Sequence, residues 1–189
     1  MRMNLIAGLM LFAYALPAIA QDMPLSQVLI DGEGWKVADT GMPKPADMKP
    51  FRVPEVDQPT CQALSRDGGT LFVGSAVGRY VWAFRVNRDG TLSAGQPYCS
   101  LRVPPKTKST SVAALAVDSD DRIYAVTPLG VQIFDPTGRL CGVLTKPTNE
   151  PLVGIAFGGS DGHSLYLASK TAVYVRKVKS QGLGFAKAK

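Results

Sequence analysis

The stretch SVAALAVDSDDRIYAVTPLGVQIFDPTGRL, Ser111 to Leu140, holds three short apolar runs cut by polar breaks. LAV and IYAV flank the acidic cluster Asp118–Asp121, and VQIF follows a Pro-Leu-Gly break. β-Branched and aromatic residues fill the runs, and Asp, Pro and Gly fill the breaks, the composition of strands joined by tight turns. DPTGRLCGVL then supplies one more turn and a fourth strand.

The same order recurs on both sides. ALSRDGGTLFVGS (63–75) and IAFGGSDGHSLYLAS (155–169) each give an apolar run, a polar turn and a second apolar run. RYVWAFRV (79–86), GVQIFDP (130–136) and AVYVRKV (172–178) give the third strand of each unit. Leu71, Ile123 and Leu165 align, as do Val81, Val131 and Val173, at a spacing of about 40–50 residues, which is the period of propeller blades. Asp67-Gly68, Asp89-Gly90 and Asp161-Gly162 fit hairpin turns, because Gly accepts positive φ without a steric cost. NRDGTLSAGQPYCSL (87–101) matches the fourth strand that follows Asp135. Outside the N-terminal apolar run no helical stripe appears. The expected fold is therefore all-β: a partial β-propeller of about three four-stranded blades plus an N-terminal strand segment. Three blades are few for a closed ring.

The remaining chain divides around these repeats. Arg2, the apolar run NLIAGLMLFAYALPAIA and the small-residue pattern Ala18-Ile19-Ala20 read as a signal peptide over 1–20, cut between Ala20 and Gln21. The run is too short to be a stable membrane span. This predicts an exported protein, periplasmic or secreted. Residues 21–41 form the N-terminal segment, with two short strands expected around Asp31-Gly32. Residues 42–59 hold Pro43, Pro45, Pro50, Pro54 and Pro59 and read as a linker or surface loop, since proline removes ladder donors. Residues 60–180 are the repeat domain, and 181–189 a loose basic tail.

Of the 189 residues, 46% are hydrophobic and 19% charged, the balance of a folded globular chain. The net charge of +6 is spread along strands and tail rather than clustered with aromatics, so nucleic acid is not an expected partner. Cys61, Cys99 and Cys141 are an odd number at irregular spacing, and no CxxC occurs. Cys99 and Cys141 fall on equivalent outer strands of neighbouring units, a geometry that argues against a bridge between them.

CQALSRDGGTLFVGSAVGRYVWAFRV, LAVDSDDRIYAVTPLGVQIFDPTGRLCGVL and IAFGGSDGHSLYLASKTAVYVRKVKSQG resemble three blades of the gluconolactonase and regucalcin (senescence marker protein) family of six-bladed propellers. The phrase FGGSDG is the most specific of these. The resemblance implies one divalent metal, often calcium, held at the centre of the ring by Glu, Asn and Asp oxygens. That metal polarises a lactone carbonyl. Carried onto this chain, the Asn position falls on Thr60 and the Gly after it on Cys61. The acid position falls on Ala113 and the Gly after it on Ala114. Alanine has no oxygen for a metal and no proton to exchange. The remaining candidate ligands are Glu33, Asp57 and Ser111, and the family's first blades have no counterpart.

Other chemistry has little support. Asp118–Asp121 lacks the Gly and distal Glu of a calcium loop and reads as a hairpin turn. His163, the only histidine, sits in a hairpin where exposure is expected, with no nucleophile motif nearby. Trp35, Trp82, Tyr80 and Tyr124 suit core packing better than a sugar pocket. The resulting expectation is a non-catalytic binding or interaction protein with no cofactor, whose open blade edges pair with a second copy or a partner chain. The rivals are a lactone or ester hydrolase acting on sugar-like substrates with calcium or another divalent metal, and a decayed chain with little function.

Overall fold

The computed structural model describes residues 24–44 and 48–185. The signal peptide, its Ala20–Gln21 junction and the last four residues lie outside the described residues. The strands are β1 (Lys36–Val37), β2 (Pro59–Leu64), β3 (Thr70–Ser75), β4 (Tyr80–Val86), β5 (Leu92–Ser100), β6 (Ala114–Val117), β7 (Ile123–Thr127), β8 (Gly130–Phe134), β9 (Leu140–Leu144), β10 (Leu152–Gly158), β11 (Ser164–Ser169) and β12 (Val173–Lys177). They form three four-stranded antiparallel sheets, β2-β3-β4-β5, β6-β7-β8-β9 and β10-β11-β12-β1. This is a partial β-propeller of three blades. The inner strand β6 lies against both β2 and β10, so the blades stand in chain order around one axis.

Turn chemistry fixes the hairpins. Gly68, Gly90 and Gly162 all carry positive φ, +71°, +80° and +73°, at the turns the Asp-Gly pairs mark. In the second blade Asp121 takes that place at φ +60°. A carboxylate closes each loop from the side. Asp67 Oδ1 accepts from the Gly69 N–H, Asp89 Oδ1 from the Thr91 N–H, and Asp135 Oδ1 from the Thr137 and Arg139 N–H groups.

The N-terminal segment departs from expectation. Short strands were expected around Asp31-Gly32 with no partner assigned, and β1 follows that pair. Lys36 and Val37 pair with Val175 and Tyr174, and Leu29 makes a single bridge to Val178. The third repeat supplies only three strands, so the N-terminal segment donates the fourth. The repeat domain is thus not confined to 60–180. Leu25 and Val28, at a short 3-10 turn, pack into the core between the second and third blades with Tyr124, Ile133, Leu165 and Leu167.

Alternation along each second strand decides which face meets which. Ile123 and Ala125 point into the core shared with Phe72 and Val81 of the first blade, whereas Tyr124 and Val126 point to the third. A row of three blades still leaves two end faces. The Pro-rich segment lies on both. Val53 and Val56, 5% and 4% exposed, bury Leu71, Val73 and Phe84 on the end face of the first blade, with Met48 and Phe51 beside them. Met42 and Pro43 lie against Gly154 and Gly158 of the third, where a side chain at Gly158 would meet Pro43 at 2.6 Å. Residues 48–56 are therefore a surface loop that covers the first blade. Proline suits it, because a covering strap needs no ladder donors.

Residues 181–185 are likewise held rather than loose. The Ser119 N–H donates to Gln181 O and the Gly182 N–H to Gly162 O, and Leu183 packs on the core between the first and second blades. Among the described residues no helix is long and apolar enough to cross a membrane.

Two stability predictions follow from this packing. Val53→Ala and Val56→Ala should each cost about 1–2 kcal/mol in urea unfolding, because each empties a filled apolar contact. Substitutions at the exposed neighbour Glu55 should stay within about 0.5 kcal/mol. The second concerns acid. Burial works against the Asp135 carboxylate, but hydrogen bonds from the Thr137 hydroxyl and the Arg139 and Thr137 N–H groups win and hold it below its usual 3.8. Stability from a depressed acid is present above the unfolded value and lost as pH falls through the folded one. Asp135→Asn should therefore lower Tm at pH 7 and flatten the loss of Tm below about pH 4, read by scanning calorimetry.

Candidate functional site

The positions that match the family's metal ligands lie at the start of the inner strands. Thr60 is the second residue of β2, and Ala113 directly precedes β6. The two meet at the seam between the first and second blades. The Thr60 hydroxyl donates to the carbonyl of Val112 at 2.5 Å. The N–H of Val112 donates to Ser75 O, and that of Ala113 to Val126 O. Cys61 is half-buried beside them, its sulfur 3.8 Å from Val112 O, and burial raises its pKa against opposing hydrogen bonds. The thiol is thus held in its poorly nucleophilic form. Cys99 is buried and pushed up to about 12 by desolvation and by the charge of Asp135. All three cysteines are free thiols.

The other candidate ligands divide. Ser111 adjoins Val112, and the Asp57 carbonyl accepts the Ser75 hydroxyl, so both belong to the same end of the axis. Glu33 does not. It precedes β1, the outer strand of the third blade, and forms an ion pair with Lys36 at 3.7 Å, with β12 and β11 between it and the inner strand. Among the described residues no three His, Cys, Asp or Glu side chains gather at metal-ligand spacing. A calcium ion needs six to eight oxygens. Ala113 offers none, and Thr60 offers one neutral hydroxyl oxygen, whose proton goes to Val112 O.

Farther along the same strands the axis opens into a cavity of about 510 Å³. Leu64, Leu115, Ile155 and Phe157 line it from the inner strands, Met48 from the Pro-rich cover, and Leu183 and Phe185 from the C-terminal strap. Gln62 also borders it, but its amide is bound at both ends to the backbone of Phe51, at 2.7 and 2.8 Å. A second, open groove of about 650 Å³ runs between the first and second blades past Asp67, Arg85, Tyr98 and Asp121. Its apolar floor, Phe72 and Phe84, is already buried at 4% and 2% exposure, which leaves mainly a polar rim.

A buried network ties the strap to the second blade. Asp118 is fully buried and accepts from the Asp120 and Arg122 N–H groups, from Arg122 Nη1 at 3.2 Å and from the Tyr124 hydroxyl at 2.8 Å. The Tyr124 oxygen also lies 2.9 Å from the Ser180 hydroxyl. Burial raises the Asp118 pKa, opposed by its donors and by the Arg122 charge. Asp118–Asp121 is thus the expected turn, but its first member is a buried anchor. The signal was present in the sequence: a Tyr six residues on, in phase to face the next blade, with a hydroxyl that burial obliges to find a partner. His163 differs from expectation too. It is half-buried, and its Nδ1 lies 3.0 Å from Ser180 O, so it braces the same strap.

The four aromatics considered for a sugar pocket do not converge. Trp35 packs on the core between the second and third blades and donates to Thr145 O. Trp82 stacks near Phe84 on the end face of the first blade, Tyr80 is exposed, and Tyr124 is buried edge-on to Phe157.

With this geometry in hand, the comparisons are informative. The model of the SMP-30/gluconolactonase/LRE-like region matches residues 51–171. The chain belongs to that family. Among solved structures, the SMP-30/gluconolactonase-like fold seen here is similar to a gluconolactonase from Xanthomonas campestris, at 24% identity and TM-score 0.55, over 65% of this chain and 38% of that one. It is also similar to the calcium-binding protein regucalcin from Agrobacterium tumefaciens, at 16% identity and TM-score 0.57, over 66% and 47%. A luciferin-regenerating enzyme aligns at 15% identity and TM-score 0.53, over 67% and 47%. At these identities the likeness is one of fold, and the aligned part spans less than half of each relative. No curated protein sequence matches the chain.

The strap network yields a third prediction. Tyr124→Phe keeps the ring but strips one donor from buried Asp118 and the partner of Ser180, so it should cost about 1–3 kcal/mol in urea unfolding. Hydrogen exchange should rise first at the amides of Ser119 and Gly182, whose backbone bonds the network holds.

Proposed function

We propose that the chain is an exported, non-catalytic binding protein built on the gluconolactonase-type fold. The observation that carries this reading is the chemistry at the positions to which the sequence resemblance carries the family's ligands: Thr60 offers only a neutral hydroxyl, and Ala113 has no side-chain oxygen. Without these groups no carbonyl can be polarised in the family's manner. The apolar cavity farther along the axis supports a binding role. Export rests on the sequence of the first twenty residues. The Pro-rich segment covers the end face of the first blade, whereas that of the third is met by Met42 and Pro43 only along its inner strand and stays open to a second copy or a partner chain.

One observation favours a second reading, a metal-dependent lactone hydrolase. Thr60, Asp57 and Ser111 sit around Val112 and Ser75 at one end of the axis. The two readings separate in one experiment. The purified chain should not hydrolyse glucono-lactone above the uncatalysed rate with or without calcium, and calcium should leave its Tm unchanged. The double variant Thr60→Asn, Ala113→Asp should gain a calcium-dependent rise in Tm, since a ligand that binds only the native state stabilises it. Calcium-stimulated hydrolysis by the unaltered chain would establish the hydrolase instead.

A further inference from the structure

We infer that the end of the blade row at which Thr60 and Ala113 stand docks on an anionic lipid surface, whether or not the axis is catalytic. Strand polarity decides which residues meet there. The inner strands β2, β6 and β10 all begin at this end. The links 76–79, 101–113, 128–129, 145–151 and 170–172 therefore lie at it, and the hairpin turns that carry the Asp-Gly pairs lie at the other.

Cations that are spread along the sequence are gathered by this polarity. Arg79, Arg102, Lys106, Lys108, Lys146 and Lys170 fall in the links at this end, and Glu150 is the one acid in those links. Glu150 is engaged by the Thr171 hydroxyl. The N-terminal segment adds Asp39 beside the third blade and Glu55 and Asp57 beside the first. Arg79, Arg102, Lys106 and Lys108 are exposed, and none has a side-chain partner among the described residues. At the opposite end Arg122 and Lys177 are ion-paired with turn carboxylates.

The link 101–113 is an anchored platform. The amide of fully buried Gln132 accepts from the Arg102 N–H and donates to Arg102 O, each at 2.8 Å. The Leu101 N–H donates to Arg79 O and the Thr110 N–H to Gly78 O, which ties this link to the turn before β4. Pro104 O accepts from both the N–H and the hydroxyl of Thr107. Lys106 and Lys108 thus ride on a held loop beside Arg79 and Arg102.

Apolar side chains at the same end select lipid. Val77, Tyr80 and Val153 are 36%, 42% and 48% exposed, and Val77 and Tyr80 flank Arg79 in sequence. A soluble polyanion is held by cations alone and offers valine nothing. A bilayer surface offers phosphates to the cations and acyl carbon to the valines, and a tyrosine suits the boundary between them.

The test floats the chain purified after export with vesicles of phosphatidylcholine, alone or with about 30% phosphatidylglycerol. The chain should float with the anionic vesicles only, and about 1 M salt, where the Debye length falls to about 3 Å, should release it. Lys106→Gln with Lys108→Gln should weaken flotation about 10–30-fold, at roughly fivefold per cation. Val77→Ser with Tyr80→Gln should weaken it at least about threefold. Arg85→Gln with Arg88→Gln, the same change of charge toward the other end of the blades, should leave it unchanged. The two charge variants alter exposed residues and should keep the parent Tm, so they decide the matter should the apolar variant not fold. Absence of flotation with anionic vesicles overturns the proposal, as does equal weakening by the Arg85, Arg88 variant. Flotation undiminished by salt, the mark of an inserted first apolar run, overturns it too. Capture of dextran sulfate without flotation would assign the face to a soluble polyanion and overturn the lipid surface.

Discussion

A propeller blade is apolar on both faces, and this single constraint organises the molecule. One sheet cannot cover two faces, so blades must stack. Three blades in a row satisfy each other at two interfaces and leave two faces at the ends. In a closed ring further blades cover those faces. Here the chain covers one of them itself, with Val53 and Val56, and meets the inner edge of the other with Met42 and Pro43.

Closing the row in this way alters the axis. The inner strands still converge, but two straps stand where blades would, and both bring apolar side chains. At one end of that axis Thr60 turns its hydroxyl to a backbone carbonyl and Ala113 has no side-chain oxygen, and the space beyond them is walled mainly with carbon. A shared fold does not by itself carry a shared site.

The sequence revealed the blades because their signals are local. Asp-Gly turns, two-residue alternation and a repeat of about 40–50 residues need no knowledge of distant chain. The exchange of Gly68 and Gly162 for Asp121 at one turn did not hide the pattern. What stayed hidden was every pairing between distant segments. Lys36-Val37 carries no mark of its partner β12. Prolines that read as a linker proved to be a cover, because composition reports what a segment cannot do and not what it lies on. Asp118 looked like one acid among several in a turn, and only the fold reveals that Tyr124 and Ser180 close over it. That Ala113 offers no oxygen was legible at once, since it is a property of the residue itself. The cavity was not, because its walls come from five separate stretches.

The pairing of β1 with β12 has a consequence for the order of assembly. Lys36 and Val175 stand near opposite ends of the chain, and their meeting, with the Leu29–Val178 bridge beside it, closes a loop of most of the described chain. Loop closure and contacts distant in sequence make such a step late. The first and second blades consist of consecutive chain and can form as they are synthesised. The third waits with one edge bare until the earliest strand returns to it. The molecule thus works as a clasp whose hook is made first and whose eye is made last, and a chain shortened at either end loses the same blade.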